Sequence, residues 1–517
     1  MNLLRIEGVN IDATVSDTDD LSTRRGSGLL LLQAIGDVAQ CFSKALTRIS
    51  TGASVGLFQV KPDAPAALAN QVENYLRTHA LYRHLTFVVD IGTAPSFRAA
   101  AESVIAANRW RQMQSFSTAL YGLAEEATSA CTANGVRPAA PNSPNNFSAS
   151  VYKRRLYGIE QKQAFYRREL EQLAEPAAAL LELHYVNDFQ TLTDKLAADW
   201  GFNPNIQGKM GVFYADGNRF GHHAEQCETP DELMQWDQHL KTLRRRWLKD
   251  LLQTASRRSH WRTPEGHLRL ETLLWGGDEL TLVVPAWCAL ELVQHFMQWT
   301  ADWQHRKAPL THACGLVLCH ANAPIGPIVK LAESLAKLGK PDAPRNDQPP
   351  APNSLHWLTL ESFDHAGSDL DHLLRTRFHD RLADWQTLTL GPARLAALTD
   401  HLPTLKNVLP RSTLTRAMRL LLRETADHAL LERSYLSIHQ ALLKSQQMDQ
   451  FNALWQSFHE GPWSQDLTVT SEAPTPDIGH LAAWVTLLEL WDYVPLTPAI
   501  PDPPDPTPLQ PTLAETV

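Results

Sequence analysis

Three features are missing from this sequence: a cysteine pair, a secretion signal and a long apolar run. Its six cysteines are scattered through 517 residues with no C-x-x-C pair, which argues against a disulfide framework and a structural zinc site. The first residues lack the basic start and apolar core of a signal peptide. No apolar run approaches the roughly 20 residues that span a bilayer. We therefore expect a cytoplasmic protein with no membrane partner.

An excess of positive charge is missing as well. The net charge of -9 and the pI near 6.2 argue against wholesale, non-specific nucleic-acid binding, although local basic patches stay open. What the chain does have is length and apolar content. Its 44% hydrophobic composition supports real cores, and its length predicts about three folded domains.

Proline-rich breaks divide the chain. RPAAPNSPNN begins at Arg137, and PDAPRNDQPPAPN begins at Pro341. Together with the character of the segments between them, these breaks predict five regions. They are a first α+β domain (1–135), a helical linker domain (136–207), a second α+β domain (208–362), a helical C-terminal domain (363–495) and a proline-rich disordered tail (496–517).

The second α+β domain shows the clearest alternation of strands and helices. It opens with KMGVFYAD, a continuously apolar run from Lys209 that ends in an acid, as a central buried strand would. A long amphipathic helix, a hairpin, a second helix and a further strand follow in order. The string β-α-β-β-α-β predicts a ferredoxin-like split unit. SLHWLTLESF would add one strand at the edge of the sheet.

A short acidic turn in this domain indicates chemistry. The stretch LLWGGDELTLVVP, from Leu273 to Pro285, places Gly276, Gly277, Asp278 and Glu279 between two apolar arms. Gly-Gly suits a tight hairpin turn and would let a triphosphate approach the backbone closely. A chance acidic turn is the plain alternative, since Gly and Asp are common turn residues.

A second acid is predicted to face this turn. Asp216 ends the first strand of the domain, and in the predicted topology that strand lies beside the hairpin, at a spacing of about 4.8 Å. Two carboxylates held so close repel each other unless a cation lies between them. Hard oxygen ligands select Mg²⁺ or Mn²⁺, and a two-metal site is typical of nucleotidyl transfer. We therefore predict metal ligands at Asp216 and Asp278.

These residues carry a family resemblance. GVFYADGNRFG with WGGDEL resembles the catalytic palm shared by GGDEF-type nucleotide cyclases and the large subunit of type III CRISPR complexes, and the CRISPR subunit is the closer of the two. The segment from Cys314 to Lys340 is also similar to that subunit's palm. DTDDLSTRRGSGLLLLQAI, from Asp17, resembles the non-catalytic palm that precedes the catalytic one. The resemblance implies an α+β fold of two ferredoxin-like palms, with a helical insert and a helical C-terminal domain.

The resemblance also implies an activity. Such a protein would make cyclic oligonucleotides from ATP, most typically cyclic oligoadenylate, as an antiviral messenger. It would work alone or with RNA-guided subunits, crRNA and target RNA. Asp216 and Asp278 would hold the metals and Glu279 would assist. The predicted nucleotide-binding residues are Gly217, Asn218, Arg219, Gly276, Gly277, Lys337 and Lys340, although a lysine face is usually only solvated. A second nucleotide would lie on the first palm, near Arg24 and Arg25.

Two features depart from the family pattern. The nuclease domain that often precedes the first palm is expected to be absent, because this sequence begins at the palm. The pair His379-Asp380 has the letters of a nuclease motif, but among 21 histidines a chance pair is the better reading. The family's intervening zinc module has no support in the cysteine spacing.

Two other functions stay open. A diguanylate cyclase is the first, but the product-inhibition motif R-x-x-D expected upstream of the turn is missing, since His267 to Leu270 reads HLRL. The second is a catalytically silent nucleotide-binding scaffold of an RNA-guided complex. The retained acids argue against it, because an unused carboxylate pair would cost stability.

Overall fold

The computed structural model describes most of the chain. The described residues are 1–11, 15–114, 129–175, 178–340, 350–361, 369–378, 382, 384–409, 411–422, 428–458 and 478–496. The predicted proline-rich tail, beyond its first residue, and the pair His379-Asp380 lie outside these ranges. In the described part, no helix is both long and apolar enough to cross a membrane.

In the described residues, the first palm is a four-stranded antiparallel sheet with two helices between its strands. Its elements are β1 (Asn2–Val9), α1 (Leu21–Cys41), β2 (Leu46–Thr51), β3 (Val55–Val60), α2 (Leu68–Thr78) and β4 (Thr86–Thr93), followed by α3 (Phe97–Gln114). The strand order β2-β3-β1-β4 is that of a ferredoxin-like unit. Helix α1 begins where the Asp20 side chain accepts a hydrogen bond from the Thr23 N–H, an N-cap that satisfies one free amide of the first turn.

A helical linker follows and packs along the first palm. It consists of α4 (Ala149–Glu171) and two short helices, α5 (Ala178–Leu181) and α6 (Phe189–Thr193). Helix α4 runs against α1, and the buried Arg154 of α4 makes two 2.9 Å hydrogen bonds to the carboxylate of Asp17. The linker is therefore attached to the first palm by a bidentate ion pair.

The second palm repeats the same topology and adds one strand. Its elements are β5 (Lys209–Gly217), α7 (Phe220–Glu225), α8 (Pro230–Arg257), β6 (Glu271–Gly276), β7 (Glu279–Pro285), α9 (Ala286–Thr300), the small hairpin β8 (Gln304–His305) and β9 (Ala308–Pro309), β10 (His312–His320), α10 (Ile325–Leu338) and β11 (Ser354–Thr359). The sheet order is β11-β10-β5-β7-β6. The predicted edge strand is present as β11, parallel to β10.

Strand β5 lies in the interior of the sheet. It pairs with a strand on each side, and both of its faces are buried. Met210, Val212 and Phe213 have no exposed surface, which explains why the run reads as continuously apolar instead of alternating. The Phe213 ring lies edge-on to the Phe296 ring of α9, with ring centroids 5.3 Å apart. Phe296 in turn packs edge-on against Trp247 of α8, with ring centroids 5.0 Å apart. This aromatic core fixes β5, α8 and α9 relative to one another.

The C-terminal region is helical, as predicted. Its helices are α11 (Leu370–Phe378), α12 (Pro392–Leu405), α13 (Arg411–Leu421), α14 (His428–Lys444), α15 (Met448–Gln456) and α16 (Ile478–Glu489). Trp455 and Trp484, both fully buried, pack with ring centroids 5.0 Å apart. The α+β class with two ferredoxin-like palms is therefore confirmed, while the exact domain boundaries stay predictions.

Candidate active site

The acidic turn is a two-residue hairpin connection between β6 and β7. Gly276 pairs with Glu279 across the ladder, so only Gly277 and Asp278 form the turn. Gly277 has a φ of +53°, in the left-handed region that a side chain with a Cβ rarely adopts. The backbone conformation of the turn therefore requires glycine at position 277, the second residue of the Gly-Gly pair.

The two predicted metal acids come together at this end of the sheet. Asp216 of β5 lies directly opposite Glu279 of β7, and the Gly217 N–H donates a 3.2 Å hydrogen bond to the Asp278 carbonyl. The structure thus brings Asp216, Asp278 and Glu279 to one edge. Antiparallel pairing of β5 with β7 causes this meeting, because it places the end of one strand beside the start of the other.

Burial and neighbouring carboxylates disfavour the charged forms of Asp278 and Glu279. Burial, and then the charge of Asp216, raises the pKa of Asp278 above its usual range. Burial and the charges of Asp216 and Asp278 likewise raise the pKa of Glu279, against a hydrogen bond with Tyr214 that lowers it. Such perturbed acids in one place are typical of a functional site.

Lys340 supplies a positive charge at the same place. Its ammonium forms an ion pair with Asp216 and lies 3.4 Å from the Gly217 carbonyl. The lysine side chain is 32% exposed and the Asp216 side chain 13%, so the pair lies at the mouth of the site. A residue predicted only from the family resemblance is thereby brought into contact with the first acid.

The residues after Asp216 take different positions. Asn218 is buried, and its side-chain amide donates 3.1 Å hydrogen bonds to Thr311 Oγ1 and the Ala351 carbonyl, while its Oδ1 has no hydrogen-bond partner among the described residues. Arg219 has a φ of +63° and precedes α7. The Asn218 side chain is thus fixed by Thr311 and Ala351.

Gly276 and Lys337, two other predicted nucleotide-binding residues, each contact another residue of the protein. A Cβ placed on Gly276 would lie 2.3 Å from the Cβ of Ala53, in the β2–β3 turn of the first palm. Gly276 therefore allows the two palms to approach each other. Lys337 is 63% exposed and forms a 2.6 Å ion pair with Glu333 one helical turn away. Whether either contacts a nucleotide stays a prediction.

The first-palm arginines also differ from each other. Arg25 has only 2% of its side chain exposed and makes two 2.6 Å hydrogen bonds to Glu271 of β6, so it joins the two palms. Arg24 instead lines a cavity of about 650 Å³ between the palms, together with Lys330.

Arg244 of α8 was missed from the sequence. It lies within the run KTLRRRW, a basic stretch of the kind that usually forms a solvated helix face, yet it is only 5% exposed. Its Nη1 donates a 2.6 Å hydrogen bond to the carbonyl of Gly277. A signal was present, because Arg244 stands between Leu240 and Leu248 in the buried stripe of the helix.

The site's donors fit a divalent cation that a substrate helps to hold. Among the described residues, no group of three or more His, Cys, Asp and Glu side chains is placed to hold a metal alone. Mg²⁺, however, is commonly bound by one or two carboxylates plus substrate phosphates. Asp216 and Asp278 supply two such carboxylates, and a cation between them would relieve the repulsion that adds to burial in raising the pKa of Asp278.

No protein-family model and no curated protein matches the sequence. Solved structures do match. The apo Csm1–Csm4 cassette has a TM-score of 0.50 at 13% identity, over 95% of this chain and 69% of that chain. The same cassette in complex with one ATP also has a TM-score of 0.50 at 13% identity, over 95% of this chain and 70% of that chain.

A crystal structure of Csm1 in T. onnurineus matches with a TM-score of 0.49 at 12% identity, over 95% of this chain and 69% of that chain. At such low identity, what the two matches at 0.50 show is the fold. The two palms and the helical C-terminal region described above therefore form a fold that resembles Csm1, the large subunit of type III CRISPR complexes.

Proposed function

We propose that this chain is a metal-dependent nucleotidyl cyclase that makes cyclic oligonucleotides from ATP, with cyclic oligoadenylate as the product. The observation that carries the proposal is the meeting of Asp216, Asp278 and Lys340 at one end of the second palm's sheet. Two carboxylates beside a cationic side chain suit a triphosphate with its metal ions. The product would act as an antiviral messenger in the cytoplasm.

The reaction is the attack of one nucleotide's 3′-hydroxyl on the α-phosphorus of another. A new oxygen–phosphorus bond forms, pyrophosphate leaves, and the hydroxyl proton passes to solvent. When bound, Mg²⁺ or Mn²⁺ would activate the hydroxyl and neutralise the charge that develops on phosphate. Asp216 and Asp278 would hold the metal, and Glu279 would contribute charge beside them.

Lys340 is the residue best placed to bind the phosphates. In the structure its ammonium neutralises Asp216. The same ammonium, 32% of whose side chain is exposed, would bind a triphosphate at the mouth of the site. Lysine is well suited to this role, because its ammonium acts as a point charge toward phosphate oxygens.

The choice of ATP rests on the resemblance and on one neighbour. The Csm1–Csm4 cassette has been solved in complex with one ATP, which supports an adenine nucleotide as the substrate here. That cassette contains a second subunit, so we also propose that this chain assembles with subunits of an RNA-guided complex, including crRNA and target RNA.

The test is a product assay. Purified protein is incubated with Mg²⁺ or Mn²⁺ and each labelled nucleoside triphosphate, and the products are resolved by mass. We expect oligoadenylate from the wild type, with a loss of at least about 1,000-fold in Asp216→Ala and Asp278→Ala, as expected when the charge-stabilising groups of a site are removed. Asp231→Ala, an exposed acid of the same domain, is the control and should keep its activity.

Other outcomes would identify the alternatives. Cyclic di-GMP from GTP would replace this proposal with a diguanylate cyclase. No product from any nucleotide, even with guide RNA, target RNA and partner subunits supplied, would favour the nucleotide-binding scaffold.

A further inference from the structure

Arg244 is a buried charge with an unusual partner. Only 5% of the residue is exposed, and its Nη1 donates a 2.6 Å hydrogen bond to the backbone carbonyl of Gly277 in the acidic turn. Taking a guanidinium out of water is costly unless it is paired and hydrogen-bonded. This arginine therefore needs a fixed geometry to remain buried, and the acidic turn is part of that geometry.

A second contact fixes the orientation of the same guanidinium. Its carbon lies 5.3 Å from the ring centroid of Trp275, two residues before Gly277. The Trp275 indole N–H donates a 3.0 Å hydrogen bond to Glu169 of α4, and Glu169 also accepts a 3.1 Å hydrogen bond from Arg245. Arg244 thus lies between an anchored aromatic ring and the turn carbonyl, and it contacts β6 both at the turn and just before it.

The face of α8 that carries Arg244 also touches the first palm. Asp237 and Lys241 precede Arg244 by seven and three positions, so the three share one side of the helix. The Thr51 N–H donates a 3.3 Å hydrogen bond to Asp237, and Lys241 donates one of 2.5 Å to Thr51 Oγ1. Two residues on, Ala53 packs against Gly276.

We propose that Arg244 is a positioning residue for the nucleotidyl-transfer site. Its hydrogen bond to the Gly277 carbonyl fixes the turn that presents Asp278, and the Asp237–Lys241–Arg244 side of α8 links that turn to the β2–β3 hairpin of the first palm. The inference rests on the proposed function for its catalytic consequence. The turn's rigidity, however, can be measured without any activity.

The experiment compares Arg244→Met, Arg244→Lys and Arg246→Met. Arg246 is exposed on the same helix, two residues further on, and is the matched control. Hydrogen–deuterium exchange is followed in the peptide spanning residues 271–285, with the rest of the chain as an internal reference. ATP turnover is measured in parallel as kcat and KM.

We expect Arg244→Met to raise exchange of the 271–285 peptide about tenfold, as local opening replaces one charge-assisted hydrogen bond. We expect kcat to fall roughly 10- to 100-fold with the KM for ATP within about twofold, because positioning the turn acts on the transition state. Arg244→Lys keeps one donor and should recover part of both losses. Arg246→Met should match the wild type.

Each result bears on one claim. Wild-type exchange of the turn peptide in Arg244→Met would overturn the positioning role, whatever the activity. If Arg244→Met loses protection throughout the chain, Arg244→Lys decides: raised exchange confined to the turn supports the role, and wild-type exchange there overturns it. A loss of protection at the turn in a protein that makes no nucleotide product, even with guide RNA, target RNA and partner subunits supplied, would overturn the proposed function and leave the positioning role standing.

Discussion

The two palms share one topology and differ in what their equivalent hairpin turns carry. In the second palm, the turn between β6 and β7 presents Asp278 next to Asp216. In the first palm, the turn between β2 and β3 reads Gly-Ala-Ser, from Gly52, and contains no acid. The same strand order therefore supports an acidic site in one copy and none in the other. The acidic cluster therefore depends on a few turn residues and not on the fold that the two palms share.

The two turns also face each other. Ala53 of the first palm fills the space beside Gly276 of the second, so close that an added Cβ would be only 2.3 Å from it. The turn without acids thus has a structural part in the site that has them. Under the proposed function, the first palm would affect catalysis through this contact.

Buried charge is balanced differently in the two places. Between the palms, Glu271 is paired at 2.6 Å with both Arg25 and Lys162. Burial opposes the ionisation of Glu271, but these two charges outweigh it and hold its pKa below its usual range. At the acidic turn, burial and neighbouring acids raise the pKa of Asp278 instead. The charge of Glu271 is balanced within the protein, whereas the charges at the acidic turn would be balanced further by a bound cation.

The largest expected effect comes from breaking the complete cluster. Glu271→Gln leaves Arg25 and Lys162 buried without a counter-charge, and we expect it to lower the free energy of unfolding by about 3–5 kcal/mol. Urea unfolding at pH 7 measures the loss, and Glu160→Gln, an exposed acid on α4, should change little. A loss no larger than that of the control would contradict the account of the cluster.

The pH dependence of that loss has a definite sign. The folded-state pKa of Glu271 is lowered from its ordinary value near 4.5. The stability that the Glu271 carboxylate contributes is therefore fully present above pH 4.5 and disappears as the pH falls through the lowered pKa. The gap between wild type and Glu271→Gln should therefore shrink in acid. A gap that widens below pH 4.5 would reverse the sign and refute the pairing.

A smaller effect is expected from separating the two turns. Gly276→Ala would push its new methyl into Ala53, and overpacking of this kind costs about 1–3 kcal/mol. Ala53→Gly in the same chain should recover only a small part of the loss, since it removes the nearest atom but leaves the backbone Cα and N of residue 53 at 2.5 and 2.6 Å. Unfolding free energies of both variants and the wild type measure the loss and its recovery. A Gly276→Ala protein as stable as the wild type would show that the two palms do not press on each other here.

The smallest effect is a gain. Asp278→Asn removes a charge that burial and Asp216 disfavour, so we expect it to stabilise the fold by about 1 kcal/mol at pH 7. Because the folded-state pKa of Asp278 is raised, ionisation of Asp278 destabilises the fold above that pKa. This cost vanishes as the pH falls below the ordinary pKa of an aspartate. The advantage should thus fade in acid, and also when Mg²⁺ is added together with a non-hydrolysable ATP analogue, because that pair would stabilise the wild type more than the variant.

Asp231→Asn is the matched control for this measurement and should show neither trend. An Asp278→Asn protein less stable than the wild type at pH 7 would mean that the carboxylate is satisfied within the chain, and it would weaken the case for a bound cation.

Much of the fold and the centre of the site could be predicted from the sequence. The order of strand and helix segments predicted the topology of the second palm. That topology alone predicted that Asp216 lies near Asp278. Local patterns carry this information because period and turn chemistry are read within a few residues. The resemblance added Lys340, which no spacing rule would have placed beside Asp216.

What escaped prediction depends on contacts between distant segments. Arg244 and Lys162 each occupy a position within an apolar helical stripe, but a sequence does not show which carbonyl or carboxylate will meet them there. Glu271 lies far along the chain from both of its partners. Gly276 illustrates the same limit, because its need for a small side chain comes from Ala53 in another domain.

The most direct test of the central claim is metal binding, because it needs neither a trigger nor turnover. Mn²⁺ binding is measured by electron paramagnetic resonance with a non-hydrolysable ATP analogue present, in wild type, Asp216→Asn/Asp278→Asn and the exposed-acid variant Asp231→Asn. We predict a nucleotide-dependent Mn²⁺ site that is lost in the double variant and kept in Asp231→Asn. Equal Mn²⁺ affinity in the wild type and the double variant would place the metal elsewhere and contradict the account.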